Sequence, residues 1–129
     1  MKVKPVGEKV LYPELSYRIM NILFEVHNTL GPGFTEDIYE EATVGELERQ
    51  HIPYEKQKKI DVFYKGKLVG TYRLDLVIDG KIILELKAVT ALNDVYKAQV
   101  LSYLKVTGLH LGILANFGGS RVESVRIIN

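Results

Sequence analysis

"RLDLVIDGKIILELKAV", residues 73–89, is the stretch whose reading decides the fold. Two apolar runs flank Asp79-Gly80, a turn dipeptide, and the whole reads as a β-hairpin. Strand alternation sorts it into two faces. Leu74, Leu76, Ile78, Ile82, Leu84, Leu86 and Ala88 form a wholly apolar face that must be core. Arg73, Asp75, Val77, Ile83, Glu85, Lys87 and Val89 fall on the other.

Directly opposed residues of an antiparallel pair share a face. A two-residue Asp79-Gly80 loop would pair Ile78 with Lys81 and set Asp75 under its neighbour's apolar face. A three-residue loop or a bulge, with Gly in the left-handed region, restores the match. The expectation is a bulged turn across 78–81, with Asp75 beside Glu85.

Two carboxylates side by side repel, and a cation between them relieves the repulsion. A hard divalent ion with oxygen ligands is the economical choice. Lys87 shares the face and can reach the same spot. The plainer alternative is a solvated ion-pair cluster on the wet side of an antiparallel sheet. Val77, Ile83 and Val89 count against it, because they describe a partly covered face carrying a charged island.

Outward from the hairpin, the chain of 129 residues fits one domain, and at 47% hydrophobic it can bury a core. Residues 1–12 read as a leader and 13–129 as a single domain. Pro13 suits a first helical turn. Leu15, Ile19, Ile22, Leu23, Val26 and Leu30 follow at helical spacing, and "GPG" at 31–33 stops the helix. A second helix starts at Thr35, a reasonable N-cap, and runs to about Gln50, closed by Pro53. Strands are expected over 54–64, 68–78 and 82–89, joined by "KGK" and "DG". Asn93 or Asp94 caps a third helix ending near Gly108. "HLGILANF" reads as a buried strand, and a last strand covers about 121–128. The order α-α-β-β-β-α-β-β is a mixed α/β (α+β) domain with a mainly antiparallel sheet flanked by helices.

Two further segments bear on the charged face. In "GFTEDIYEE", Glu36 and Tyr39 are three apart and neighbour each other on a helix; acids are also ordinary in a first turn. In "QVLSYL", Gln99 and Tyr103 are four apart and project together; a polar stripe on an amphipathic helix explains them equally well.

Together these residues resemble the PD-(D/E)XK nuclease superfamily. The resemblance rests on Asp75, the nine-residue gap, Glu85-Leu86-Lys87, and Gln99-x-x-x-Tyr103 downstream. Within it, the chain resembles the small GxxExxY proteins through Gly33, Glu36 and Tyr39. The resemblance implies a restriction-endonuclease-like αβββαβ core. It implies that Asp75, Glu85 and the Leu86 backbone carbonyl hold Mg²⁺ or Mn²⁺. Lys87 would orient the attacking water or stabilise phosphate charge, Glu36 would be the helix-borne acid that completes the site through water or metal, and Gln99 and Tyr103 would brace the site or touch the nucleic-acid backbone. Leu74 stands where the name-giving proline would be.

Phosphodiester hydrolysis needs an activated water and stabilisation of a phosphate gaining negative charge, and such a set supplies both. Lys87 beside two acids is expected to stay protonated, which favours electrostatic stabilisation over general-base action. Lys56, Lys58, Lys59 and Arg73, with Lys65 and Lys67, are the candidate nucleic-acid contacts; lysines guarding a strand edge are the alternative. The expected partner is nucleic acid, DNA rather than RNA, with a homodimer to widen the footprint.

Other chemistries lack support. The net charge of +1 argues against coating nucleic acid by bulk charge. Cysteine is absent, which removes disulfides, thiolate metal sites and cysteine nucleophiles. His27, His51 and His110 are far apart and make no metal spacing. No nucleophile elbow or phosphate loop is present. No segment approaches the roughly 20 apolar residues of a membrane span, and a cytoplasmic location is expected. Three readings stand: a metal-dependent nuclease, a catalytically silent nuclease-fold module that binds nucleic acid or a protein, and a structural module.

Overall fold

The computed structural model describes residues 11–129; part of the expected leader, residues 1–10, lies outside the described residues. The elements are α1 (Pro13–Leu30), α2 (Glu36–Arg49), β1 (Tyr54–Tyr64), β2 (Lys67–Ile78), β3 (Ile82–Lys87), α3 (Asp94–Thr107), β4 (Leu111–Asn116) and β5 (Glu123–Ile128). Helix ends follow local chemistry. Pro13 opens α1. The Asn93 side chain accepts the Tyr96 N–H to cap α3, and Gly108, left-handed, closes it. Thr35 stands at the N-cap of α2 without capping it; its hydroxyl donates to Asp37 instead.

The sheet runs β1-β2-β3-β4-β5. Every neighbouring pair is antiparallel except β3 and β4, which are parallel. A parallel pair needs a crossover, and α3 supplies it. The helices split between the faces. Ile19, Ile22 and Leu23 of α1 and Leu47 of α2 pack with Leu76, Ile78, Leu84 and Leu86. Tyr103 and Leu104 of α3 pack on the opposite face against Val77 and Ile83. Both faces of the central hairpin are therefore covered, and all six residues of β4 are buried.

The turn after β2 is a three-residue connection. Ile78 pairs with Ile82, Asp79 and Gly80 are both left-handed (φ 54° and 63°), and the Lys81 N–H donates to the Ile78 carbonyl at 3.0 Å. The parity expected from the sequence is thus met.

Two expectations are corrected. Leu74 does not join Leu76 on the α1–α2 face; it packs with Val77, Ile83 and Tyr103 on the α3 face. The alternation breaks where Gln57 of β1 adopts a left-handed φ of 52° and leaves the ladder between Lys56↔Leu76 and Lys58↔Leu74. Strand β3 ends at Lys87, not at Val89. The Ala88 N–H turns to the Glu36 carboxylate at 3.3 Å, and both backbone polar groups of Val89 go to the Asn116 side chain at 2.9 Å.

Strands β1 and β2 outrun the sheet. Strand β2 pairs with β3 only from Leu76 to Ile78 but with β1 all the way to Lys67. The far half of this hairpin is a two-stranded arm, exposed throughout from Phe63 to Thr71.

Candidate active site

The site lies where β2 and β3 part. Their ladder stops at Leu76↔Leu84, and the next two positions are Asp75 and Glu85. Side chains take over from backbone there. The Asp75 N–H donates to Glu85 Oε1 at 2.9 Å, and the Leu86 N–H donates to Asp75 Oδ2 at 2.9 Å. Each carboxylate thus satisfies a strand N–H that the opened ladder left free, and the two acids stand side by side.

Glu85 is only 3% exposed. Burial pushes its carboxyl up to about 8, and the Asp75 carboxylate adds to the rise. Among the described residues neither acid forms a salt bridge. An isolated buried carboxylate is costly, and here its near neighbour is a second carboxylate.

A third acid, not singled out from the sequence, stands behind them. Glu40 of α2 is buried and accepts the Gln57 Nε2 at 2.7 Å; the same amide lies 3.5 Å from Asp75 Oδ1. Burial raises the Glu40 carboxyl, and the Asp75 charge pushes the same way. One signal was available: Glu40 is four residues after Glu36, on the same helix face. Gln57 gave none, because its role follows from its left-handed backbone.

Lys87 closes the row on β3. Its Nζ lies 4.7 Å from the Tyr96 ring centroid on α3, a cation–π contact that steadies the ammonium. Glu36 is exposed at the start of α2 and reaches the backbone one residue past Lys87. Tyr103 is buried beside the carboxylates. Its phenol is pushed up to about 12, first by burial and then by Glu85 and Asp75, and its ring meets Tyr72 edge-on at 4.8 Å. Gln99 is exposed on α3, with no side-chain hydrogen bond among the described residues.

Tyr39 does different work. It is fully buried, stacks on Phe117 at 4.4 Å, and its hydroxyl donates to the Gly31 carbonyl at 2.5 Å. It braces the "GPG" turn and, through it, the start of α2 that carries Glu36.

The proposed nucleic-acid contacts divide. Lys56 pairs with Glu41, and Lys58 pairs with Glu55 at 2.6 Å. Lys59 and Arg73 face each other across the β1–β2 ladder with no acidic partner among the described residues.

The frame behind the site is tight. Asn116, 1% exposed, makes four hydrogen bonds: from Val89 N–H and Gly118 N–H, and to Val89 carbonyl and Glu123. A Cβ on Gly118 would lie 2.0 Å from the Val89 carbonyl oxygen, so only glycine fits. The chain leaving Lys87 is thereby fixed.

The donor set suits a hard divalent cation. Among the described residues no three Asp, Glu, His or Cys side chains converge into a ready-made cage. Magnesium does not ask for one: it is commonly held by one or two carboxylates and keeps several waters. Two adjacent acids, one of them deeply buried, fit that demand.

A family model described as the PD-(D/E)XK nuclease superfamily matches residues 13–127. Among solved structures, the chain is similar to that of SSO0001, with a TM-score of 0.60 and 21% identity, over 72% of this chain and 49% of that one. The present chain thus spans about half the length of that relative, and the likeness speaks for a shared fold. No curated protein matches. No helix among the described residues is long and apolar enough to cross a membrane. With a restriction-endonuclease-like sheet and a family match over nearly its whole length, the chain belongs to the PD-(D/E)XK nuclease superfamily.

Proposed function

We propose that this protein is a metal-dependent nuclease that hydrolyses phosphodiester bonds in nucleic acid, DNA rather than RNA, with Mg²⁺ or Mn²⁺ as its ion. The observation that carries the reading is the Asp75–Glu85 pair at the fork between β2 and β3, held by reciprocal contacts to strand N–H groups. The "GFTEDIY" segment further suggests the GxxExxY branch. Absence of cysteine suits a reducing, cytoplasmic setting.

Asp75 and Glu85 would hold the ion, helped by the Leu86 carbonyl. A bound divalent ion supplies Lewis acidity at the phosphoryl oxygen and lowers the pKa of a coordinated water. The chain supplies the rest. Glu85 must give up its proton as the ion binds, which its burial makes unfavourable without a cation. Lys87, steadied on Tyr96, offers a fixed positive charge to the phosphate oxygens as negative charge develops. Glu36 and Glu40 stand on one face of α2 and can accept a hydrogen bond from a water at the site. Tyr103 and Tyr72 wall the carboxylates on the α3 side. Gln99, exposed on α3, would meet substrate.

The test is calorimetric titration of Mg²⁺ and Mn²⁺ into the wild type and into the Asp75→Asn, Glu85→Gln double variant. Binding by the wild type that disappears in the variant, with metal-dependent cleavage of DNA by the wild type alone, is expected. Metal binding without cleavage of any DNA or RNA substrate would favour a silent nuclease-fold module. No metal binding with or without nucleic acid would refute the reading.

A further inference from the structure

The β1–β2 arm takes no part in the chemistry above, yet it concentrates two features. Phe63, Tyr64, Leu68 and Val69 near its tip are 61%, 63%, 53% and 55% exposed. Residues 59–73 carry four basic side chains and one acidic, a net of +3 in a chain whose total is +1, while Lys58 beside them is paired with Glu55. The rest of the molecule is thus net acidic, and the arm is a separate positive feature.

The charges form a track. Lys59 and Arg73 are direct cross-strand partners. Like charges so placed destabilise a sheet, and here no carboxylate relieves them among the described residues. An anion from outside would. The Arg73 guanidinium donates to the Gln57 carbonyl at 3.4 Å, and the Gln57 amide touches Glu40 and lies beside Asp75. The track therefore begins at the candidate site. It ends at the tip, where Lys65 and Lys67 flank Gly66 and Lys65 lies 5.4 Å from the Tyr64 ring centroid.

From Asp75 to Gly66 is nine residues, or about 30 Å at ~3.3 Å per residue. That is about nine phosphates along one strand of a duplex at ~3.4 Å each. We propose that the arm is a clamp that follows a nucleic-acid duplex away from the bond being cut, with Lys59 and Arg73 on near phosphates and Lys65 and Lys67 on distant ones. The proposal rests on the nuclease reading and names its substrate class: duplex with roughly one helical turn beside the cleavage point. An extended two-stranded arm with basic side chains at both its base and its tip matches an extended polyanion. A second copy is disfavoured, because two arms of like charge repel and lysines along an edge oppose strand pairing. The exposed aromatic and aliphatic side chains at the tip would lie against sugars or a groove edge.

The experiment uses Asp75→Asn protein, so that substrate survives, and the same protein carrying Lys65→Ala and Lys67→Ala. Fluorescence anisotropy measures binding to duplexes of about 10 and about 30 base pairs and to a single strand, over roughly 50–200 mM salt, with thermal melts as a fold control. The parent is expected to prefer the long duplex. The arm variant should bind it about 10-fold or more weakly at low salt. Its log–log salt slope should be shallower by about 2, near 0.9 for each phosphate that is no longer neutralised. Equal affinity and slope for parent and variant would overturn the clamp while leaving the nuclease reading intact. Equal affinity of the parent for single strand and duplex would overturn the substrate class. Conversion of a dimer to monomers by the arm variant, with nucleic-acid binding unchanged, would assign the arm to a second copy. If the parent bound no nucleic acid and the wild type cut none, the nuclease reading would fall, and the clamp with it.

Discussion

Replacing Glu85 by Gln should abolish a specific pH dependence of stability. Glu85 is 3% exposed, and its carboxyl is raised from 4.5 to about 8 by burial and then by the Asp75 carboxylate. The sign follows from proton counting. Between these two values the folded chain holds a proton that the unfolded chain has released, so stability falls as pH rises. The contribution is fully present below 4.5 and is lost as pH passes through about 8. At ~1.36 kcal/mol per pH unit across that window, the loss is at most about 5 kcal/mol. Gln keeps the oxygen that accepts the Asp75 N–H and carries no titrating proton. Urea denaturation in a metal chelator, at pH 5, 7 and 9, measures the effect. Wild type should lose several kcal/mol relative to Glu85→Gln between the first and last pH, about 3–5 by the same arithmetic. Adding Mg²⁺ at pH 9 should restore wild type and leave the variant unchanged. Parallel stability curves for the two proteins would refute the argument, because they would mean that Glu85 is charged at all these pH values or is not buried.

Three other perturbations probe the frame and the ammonium. Gly118→Ala forces a methyl against the Val89 carbonyl and should cost about 1–3 kcal/mol, read as a lower melting temperature, with slower cleavage because the chain after Lys87 is displaced. Asn116→Ala leaves the half-buried backbone groups of Val89 without their partner and should cost about 1–3 kcal/mol in urea denaturation, whereas a surface change such as Arg121→Ala should be near neutral. Tyr96→Leu removes the ring under Lys87; cleavage turnover should fall about 2–5-fold while Tyr96→Phe stays near wild type, since the cation–π contact contributes roughly 0.5–1 kcal/mol.

Much of the site was legible because a strand's alternation has a period of two and a helix's a period near 3.6. Parity alone required a connection longer than two residues after Ile78, and it placed Asp75 beside Glu85. What parity could not carry was an interruption. Opposite the left-handed Gln57, Leu74 packs on the α3 face and not with Leu76, and nothing in "EKQKKI" marks Gln57 for an unusual backbone. Tyr39 shows a different limit. Its spacing from Glu36 was visible, but its role as a brace for Gly31 depends on a hydrogen bond across a turn.

The sequence by itself determined which elements form and, Leu74 apart, how the residues of the central hairpin divide between its faces, because these depend on neighbours a few positions apart. It also carried the ordered acids and lysine of the family. Tertiary structure alone decided that α1 and α2 cover one side of the sheet and α3 the other, turning an apparently half-wet face into a buried one. It decided that Glu40, Gln57 and Tyr96 attend the carboxylates and Lys87, and that β1 and β2 run on past the sheet. Those outcomes depend on contacts between residues far apart in the chain, where burial sets the cost of a charge and packing sets which side chains meet it.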